Sequence, residues 1–187
     1  MSPSHEPLFR IIAGLGNPGR EYEETRHNAG FMIVDRLAQR AGMPFRMEPK
    51  WNAAIAPAGG VILCKPQSFM NLSGEPMAAV ARFYKIEPAR MLAIFDDVAL
   101  PLGRIRIRPG GSSGGHNGMQ SILEHVGDIP RLRVGIGAAD GRPMIQHVLG
   151  KFLPEERVIL TETIDRALQA VDCLQRDGID AAMNQFN

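Results

Sequence analysis

Three loops of this chain of 187 residues carry polar side chains that packing does not require. The first is Gly14-Leu-Gly-Asn-Pro-Gly-Arg-Glu-Tyr-Glu-Glu-Thr-Arg-His-Asn-Ala-Gly30, the second Lys65-Pro-Gln-Ser-Phe-Met-Asn-Leu-Ser-Gly74. The third begins at Phe95-Asp-Asp and resumes at Gly110-Gly-Ser-Ser-Gly-Gly-His-Asn-Gly118. His27 lies in a polar loop just ahead of an amphipathic run. Beside a helix N-terminus the macrodipole disfavours the imidazolium, which keeps the ring neutral and able to accept a proton. Asp96 closes an apolar run, where a carboxylate can take the other ring N–H and fix the tautomer. Asp97 competes for that role, with a turn or cap carboxylate as its plainer reading. Asn17, Asn71 and Asn117 each occupy a loop tip. An amide offers donors and an acceptor without charge, which suits a carbonyl, a peptide backbone or a developing oxyanion; each could instead cap a turn or helix.

Arginines form a further pattern. Alternation in Arg104-Ile-Arg-Ile-Arg108 puts three guanidiniums on one strand face, about 6–7 Å apart, and Arg131 and Arg133 repeat it nearby. Alternating charge is commonly a solvated sheet face. Five arginines on two strands, in preference to lysine, instead favour phosphate recognition.

Two familiar motifs match only formally. Gly14, Gly16 and Gly19 fit G-x-G-x-x-G after a strand, but a dinucleotide site needs a helix to open at once, and Pro18 and the polar residues 20–26 intervene. Gly111-Ser-Ser-Gly-Gly115 fits G-x-S-x-G with Ser113 as nucleophile, yet a nucleophile elbow follows a buried strand and this loop follows arginines and Pro109. His116 stands where a phosphate-binding loop would need lysine. Cys64 and Cys173 form no C-x-x-C and have no His at ligand spacing, so they read as buried, reduced thiols, and no metal-ligand cluster is expected.

The elements that must position these residues follow from periodicity. Apolar runs at 9–14, 61–65 and 91–96 read as buried strands, and 131–137 as another. Residues 104–108, half polar, suggest an antiparallel or edge strand. Helices are expected at 28–40, with Asn28 as N-cap and Phe31, Val34, Leu37 and Ala38 inward, and at 75–84, with Met77, Val80, Ala81 and Tyr84 inward. A short helix is expected at 116–125 and a long one at 154–177, opened by Pro154 and stopped by Gly178. This alternation implies an α/β fold: one domain, with helices packed around a largely parallel or mixed sheet, and loops at the strand C-termini facing the ligand crevice. Residues 1–8 read as a flexible N-terminal tail. A chain of this length can bury roughly 70% of its unfolded surface around one core.

Composition excludes disorder, a collagen repeat and a disulfide scaffold, with 44% hydrophobic and 22% charged residues. No apolar run approaches the roughly 20 residues of a membrane span, and the start lacks a signal pattern; a cytoplasmic protein is expected. The formal net charge of +1 argues against coating nucleic acid over the whole surface. It is, however, a cancellation. Residues 104–133 carry five arginines against Glu124 and Asp128, whereas residues 151–187 carry four basic residues against seven acids.

The three loops, together with Asp96-Asp-Val-Ala-Leu-Pro-Leu-Gly103, Arg131-Leu-Arg-Val-Gly-Ile-Gly137 and Val148-Leu-Gly150, resemble the bacterial-type peptidyl-tRNA hydrolases in type, order and spacing. The resemblance runs from about Ile11 to the C-terminal helix. It implies a single α/β domain, with a twisted mixed β-sheet flanked by helices, that hydrolyses the ester joining a peptide to tRNA, as a cytoplasmic monomer with peptidyl-tRNA as its partner, no membrane and no cofactor or metal. By motif match it makes His27 the base and Asp96 its orienting partner. It places Asn17, Asn71 and Asn117 along the substrate channel, with Tyr22, Phe69 and Met70 beside them, and gives Arg108 and Arg133 the 5′-phosphate of tRNA. Asn17 or Asn71 is then the oxyanion donor. Phe95 stands where the family pattern has a more polar aromatic or His, and Ala138-Ala-Asp140 is a less typical rim. The alternative from another class is a non-catalytic RNA-binding module using the arginines of 104–108 and 131–133.

Overall fold

A computed structural model describes residues 6–187. Its strands are β1 (Ile11–Gly14), β2 (Arg46–Glu48), β3 (Ala53–Ala58), β4 (Val61–Pro66), β5 (Met91–Asp97), β6 (Ile105–Arg108) and β7 (Arg131–Gly135). They form one sheet in the order β2-β3-β4-β1-β5-β7-β6. β1 runs parallel to β4 and β5, and β5 parallel to β7; β3 is antiparallel to both β2 and β4, and β6 antiparallel to β7. The central strands are near-continuous apolar runs because both faces of the sheet are covered there. As expected from its half-polar pattern, β6 is an antiparallel edge strand, though it starts at Ile105 and leaves Arg104 in the preceding turn.

The helices are α1 (Ala29–Arg40), α2 (Gly74–Tyr84), α3 (Asn117–His125), α4 (Met144–Val148), α5 (Pro154–Asp177) and α6 (Ile179–Phe186). On one face of the sheet α1, α5 and α6 bury Ile33, Val34, Leu37, Leu168, Val171 and Phe186 against Ile105, Ile107, Leu132 and Val134. On the other, α2 and α3 bury Met77, Val80, Met119 and Ile122 against Ile11, Ala93 and Phe95. Each fully buried aliphatic side chain contributes about 1.5–3 kcal/mol, so the two apolar layers set the architecture. The inward residues read for α1 are all buried; on α2, Met77, Val80 and Ala81 are buried and Tyr84 is half-buried. Proline at its first turn and Gly178, at φ 87°, bound α5 as expected.

The structure adds the β2–β3 hairpin, α4 and α6, which hydrophobic periodicity did not predict. It also corrects the expected cap of α1. The Asn28 side chain makes no capping hydrogen bond; it reaches instead to the loop after β1. Both cysteines are free and buried, and burial pushes the Cys64 thiol up to about 12. Of the expected tail, residues 1–5 lie outside the described residues. Glu6, Pro7 and Leu8 are fastened by the Arg90 guanidinium, which pairs with the Glu6 carboxylate at 2.9 Å and donates to the carbonyls of Pro7 at 2.6 Å and Leu8 at 3.3 Å.

Candidate active site

The four mutually parallel strands end on the same side of the sheet, and their loops converge around a cavity of about 610 Å³. Asn17 follows β1, and His27 lies in the short turn just before α1. Phe69, Met70 and Asn71 follow β4; Asp96 and Asp97 end β5; Asn117 opens α3; and Arg133 projects from β7. All of these line the cavity. Tyr22 stands outside its lining, half-buried, with its ring edge-on to Phe69 at 6.4 Å between centroids. Arg108 is also outside, half-buried on the edge strand.

The glycines of the first loop explain how His27 reaches Asp96. A Cβ on Gly14 would collide with the Gly30 carbonyl, and one on Gly30 with the Ile94 carbonyl and the Leu15 backbone. Two glycines thus let the start of α1 sit directly on β1 and β5. The G-x-G-x-x-G match is a packing device, not a nucleotide fingerprint. Asn28 then locks the arrangement: its Oδ1 accepts the Asn17 N–H at 2.8 Å and its Nδ2 donates to the Asn17 carbonyl at 3.0 Å.

His27 Nδ1 lies 2.8 and 2.9 Å from the two Asp96 oxygens. Asp96 is 1% exposed. Burial pushes its carboxyl up, but the His116 and His27 imidazoles outweigh that and hold it down at about 2. An ionised carboxylate only accepts, so His27 carries a proton on Nδ1. Nε2 makes no hydrogen bond among the described residues, and the side chain is 12% exposed on the cavity wall.

The second imidazole on Asp96 went unread in the sequence. His116 donates Nε2–H to Asp96 Oδ1 at 2.9 Å, while its Nδ1 accepts the Met119 N–H at 3.2 Å as the N-cap of α3. Both ring nitrogens are committed, so His116 is fixed in one neutral tautomer and holds the carboxylate. Its ring also packs on Phe95, 4.7 Å between centroids. The available signal was its place immediately before a helix, an N-cap position. Also missed were Val98 and the α4 segment with Met144, Ile145, Val148 and Leu149; these line the cavity together with Ser113–Gly115 of the third loop, to which sequence reasoning assigned no role.

The expectation of no metal-ligand cluster is corrected as well. His27, Asp96 and His116 bring three potential ligand atoms within 4.8 Å of one another, a set that could hold one cation. Those atoms already hydrogen-bond to each other, and an ion would have to displace both ring protons.

The asparagines differ in freedom. Asn17, 6% exposed, gives its Oδ1 to the Met70 N–H at 2.8 Å, so its Nδ2 is the donor left for the cavity. Asn71 and Asn117 are exposed on the lining. Asp97 does not compete for His27. Its Oδ1 accepts the Ala99 N–H at 2.9 Å, and Oδ2 lies 2.5 Å from Arg133 Nη2 as an ion pair without hydrogen-bond alignment.

Arg131 is not part of a phosphate-binding stripe. It is 2% exposed and spends its guanidinium on Asp128 at 2.5 Å and on the carbonyls of Ser112 at 2.8 Å and Ile129 at 3.1 Å. Asp128 in turn accepts the Gly111 N–H. Arg131 therefore shapes the glycine loop that carries His116. The register Arg106↔Arg133 and Arg108↔Arg131 leaves Arg106, Arg108 and Arg133 as the accessible arginines on that face.

The sequence matches the model of the family described as peptidyl-tRNA hydrolase over residues 11–187. It is 46% identical over 192 residues to the peptidyl-tRNA hydrolase of Synechococcus sp. (strain JA-3-3Ab), covering 99% of this chain and 85% of that one. It is 49% identical over 181 residues to that of Akkermansia muciniphila, covering 95% of each. The fold superposes on the crystal structure of peptidyl-tRNA hydrolase from Acinetobacter baumannii with a TM-score of 0.90 and 39% identity, covering 97% of this chain and 95% of that one.

Proposed function

The chain belongs to the peptidyl-tRNA hydrolase family and hydrolyses peptidyl-tRNA; from that premise we propose that His27 is the general base of the reaction. Nε2 takes a proton from water as the water oxygen attacks the ester carbonyl. Asp96 holds the ring through Nδ1–H and stabilises the imidazolium that forms, and His116 holds Asp96. The carbonyl oxygen becomes an oxyanion that accepts from Asn17 Nδ2. On collapse the bond to the ribose oxygen breaks, Nε2–H returns the proton to that oxygen, and peptide acid and tRNA leave. General-base help is worth about 10²–10⁴ in rate and an oxyanion donor about 10²–10³. These steps call on no metal or cofactor.

The observation that carries this reading is the double imidazole clamp on one buried carboxylate, which leaves His27 Nε2 as the imidazole nitrogen of the cavity without a hydrogen-bond partner among the described residues. Commitment of Asn17 Oδ1 to Met70 favours Asn17 over Asn71 as the oxyanion donor. Asn71 and Asn117 then read the peptide backbone, Tyr22, Phe69 and Met70 flank it, and Arg108 and Arg133 take the 5′-phosphate. No helix among the described residues is long and apolar enough to cross a membrane, and a tRNA substrate supports a cytoplasmic location. His27→Ala should lower kcat by about 10²–10⁴ while leaving tRNA affinity near that of the parent. Near-normal hydrolysis of an N-blocked aminoacyl-tRNA by that variant would sink the assignment.

A further inference from the structure

Between β7 and α5 the chain makes an exposed excursion whose inner side, Met144, Ile145, Val148 and Leu149, forms an apolar wall of the catalytic cavity. Met144 and Ile145 are 51% and 66% exposed. Little apolar packing holds this wall in place. Among residues 138–149 only His147 is buried, at 2% exposure, and it lines a separate cleft with Leu100, Ile136 and Arg142. Its Nε2 donates to the Gly137 carbonyl at 2.9 Å, and its Nδ1 faces Arg142 Nη2 at 3.3 Å. Arg142 can only donate, so the ring is the neutral Nε2–H form. Gly137, where the excursion starts, is itself held by its N–H to the Leu100 carbonyl at 3.0 Å. At the far end the Arg26 N–H donates to the Gly150 carbonyl at 2.9 Å. The excursion is therefore pinned at both ends, and His147 ties the middle, α4, back to its start.

We infer that His147 is a positioning residue that holds α4 as the wall against which the side chain of the substrate's aminoacyl group packs, and that it does so only in its neutral form. The inference rests on the reading that this cavity takes the peptidyl ester. A proton on Nδ1 would set an N–H against the Arg142 guanidinium and add charge beside charge. The other charged groups facing that cleft do not relieve this. Glu156 on α5 is already paired with Arg26 at 2.7 Å and accepts the Leu153 N–H. Asp140 is exposed at the tip of the same excursion. A second ring proton breaks the Arg142 contact and loosens the wall, so acid is the perturbation to apply. His147 touches neither His27 nor Asp96. Its loss should appear in KM and not in kcat, and most for large side chains that use the wall.

The test compares N-acetyl-phenylalanyl-tRNA with N-acetyl-glycyl-tRNA at about pH 5.5–8. The parent protein should show a KM for the phenylalanyl ester that rises as pH falls, with a flatter KM for the glycyl ester. His147→Ala should raise the phenylalanyl KM by about five- to tenfold at neutral pH with kcat within about twofold. His147→Gln can donate to Gly137 and accept from Arg142 without titrating, so it should restore KM and abolish its acid rise. Equal KM increases for both esters, a matching loss of kcat, or a Gln variant as impaired as Ala would overturn the inference. Should the Ala variant not fold, hydrogen exchange of residues 138–149 in the parent and the Gln variant decides. Faster exchange in acid, corrected for intrinsic rates, should occur in the parent alone, and the same behaviour in both overturns it. Turnover by His27→Ala would instead defeat the catalytic reading itself; an inactive His27→Ala beside an unaffected His147→Ala defeats only the inference.

Discussion

Asp96 is a buried carboxylate with two imidazole donors and, among the described residues, no arginine or lysine partner. The two imidazoles keep it ionised and neither is a permanent cation, so under the proposed mechanism His27 gains positive charge opposite a carboxylate that stays negative. Asp96→Asn keeps the shape but loses the charge and allows the wrong His27 tautomer. Its kcat should fall on the order of 10²–10⁴-fold with KM little changed. The same residue governs behaviour in acid. Its folded-state value of about 2 lies below the ordinary 3.8, so Asp96 stabilises the fold above about pH 4, and that contribution is lost as pH falls toward 2. Acid unfolding of Asp96→Asn followed by circular dichroism should therefore be less steep over that window than in the parent. At this scale the sequence was legible where a polar side chain stands alone: His27, Asp96 and Asn17 could be singled out as candidates because nothing apolar explains them, whereas Arg133 stood in one stripe with Arg131 and only the family resemblance separated the two. His116 could not, since its part depends on a loop after an edge strand folding back onto β5, and no spacing along the chain encodes that approach.

The elements were legible to the degree that their burial was one-sided and sustained. α1, α2 and α5 bury a continuous stripe, and β1, β4 and β5 are buried on both faces, so each leaves a strong periodic or apolar signature. The hairpin strand β3 is built from Ala53-Ala-Ile-Ala-Pro-Ala58, which neither alternates nor favours a strand, and β2 has only three residues. α4 is a single short turn with its apolar residues exposed to the cavity, a pattern that resembles a loop. What no pattern shows is how closely elements approach. Gly30 is the sharpest case, because the contact between α1 and the ends of β1 and β5 sets the distance from His27 to Asp96. Gly30→Ala places a methyl against backbone carbonyl oxygen, which cannot rotate away. Overpacking of this kind costs about 1–3 kcal/mol, and each kcal/mol lowers the melting temperature by about 2–4 °C in a chain of this size. Activity should suffer more than stability implies, since a displacement of about 1 Å at a reacting group can cost about 100-fold. Calorimetry and kcat on the same preparation test both; a fully active Gly30→Ala would show that the helix is free to shift.

At the scale of the whole molecule the small net charge conceals two unlike faces. Arg106, Arg108 and Arg133 point away from Ile105, Ile107, Leu132 and Val134, and so lie on the side of the sheet that carries α2 and α3. The acidic α5 covers the opposite side, where Asp165 and Asp172 face Arg36 and Arg40 of α1 at 3.6 and 2.6 Å. These exposed pairs contribute little stability, but they offset charge on that face, whereas Arg106, Arg108 and Arg133 give the α3 side accessible positive charge, the side on which the proposed phosphate contacts lie. Electrostatic attraction is then local, and its salt dependence should count the arginines in contact with phosphate. Measured in the His27→Ala background, so that substrate survives, Arg108→Ala and Arg133→Ala should each reduce the slope of log affinity against log salt by about 1. In the active enzyme Arg133→Ala should raise KM for peptidyl-tRNA more than for a short aminoacyl ester that lacks the tRNA body. Arg131→Ala gives the contrast. Its guanidinium is consumed inside the fold by Asp128 and the Ser112 carbonyl, so it should lower the melting temperature and disturb the loop bearing His116. Its salt slope should match the parent's, because a buried arginine releases no counterion from tRNA.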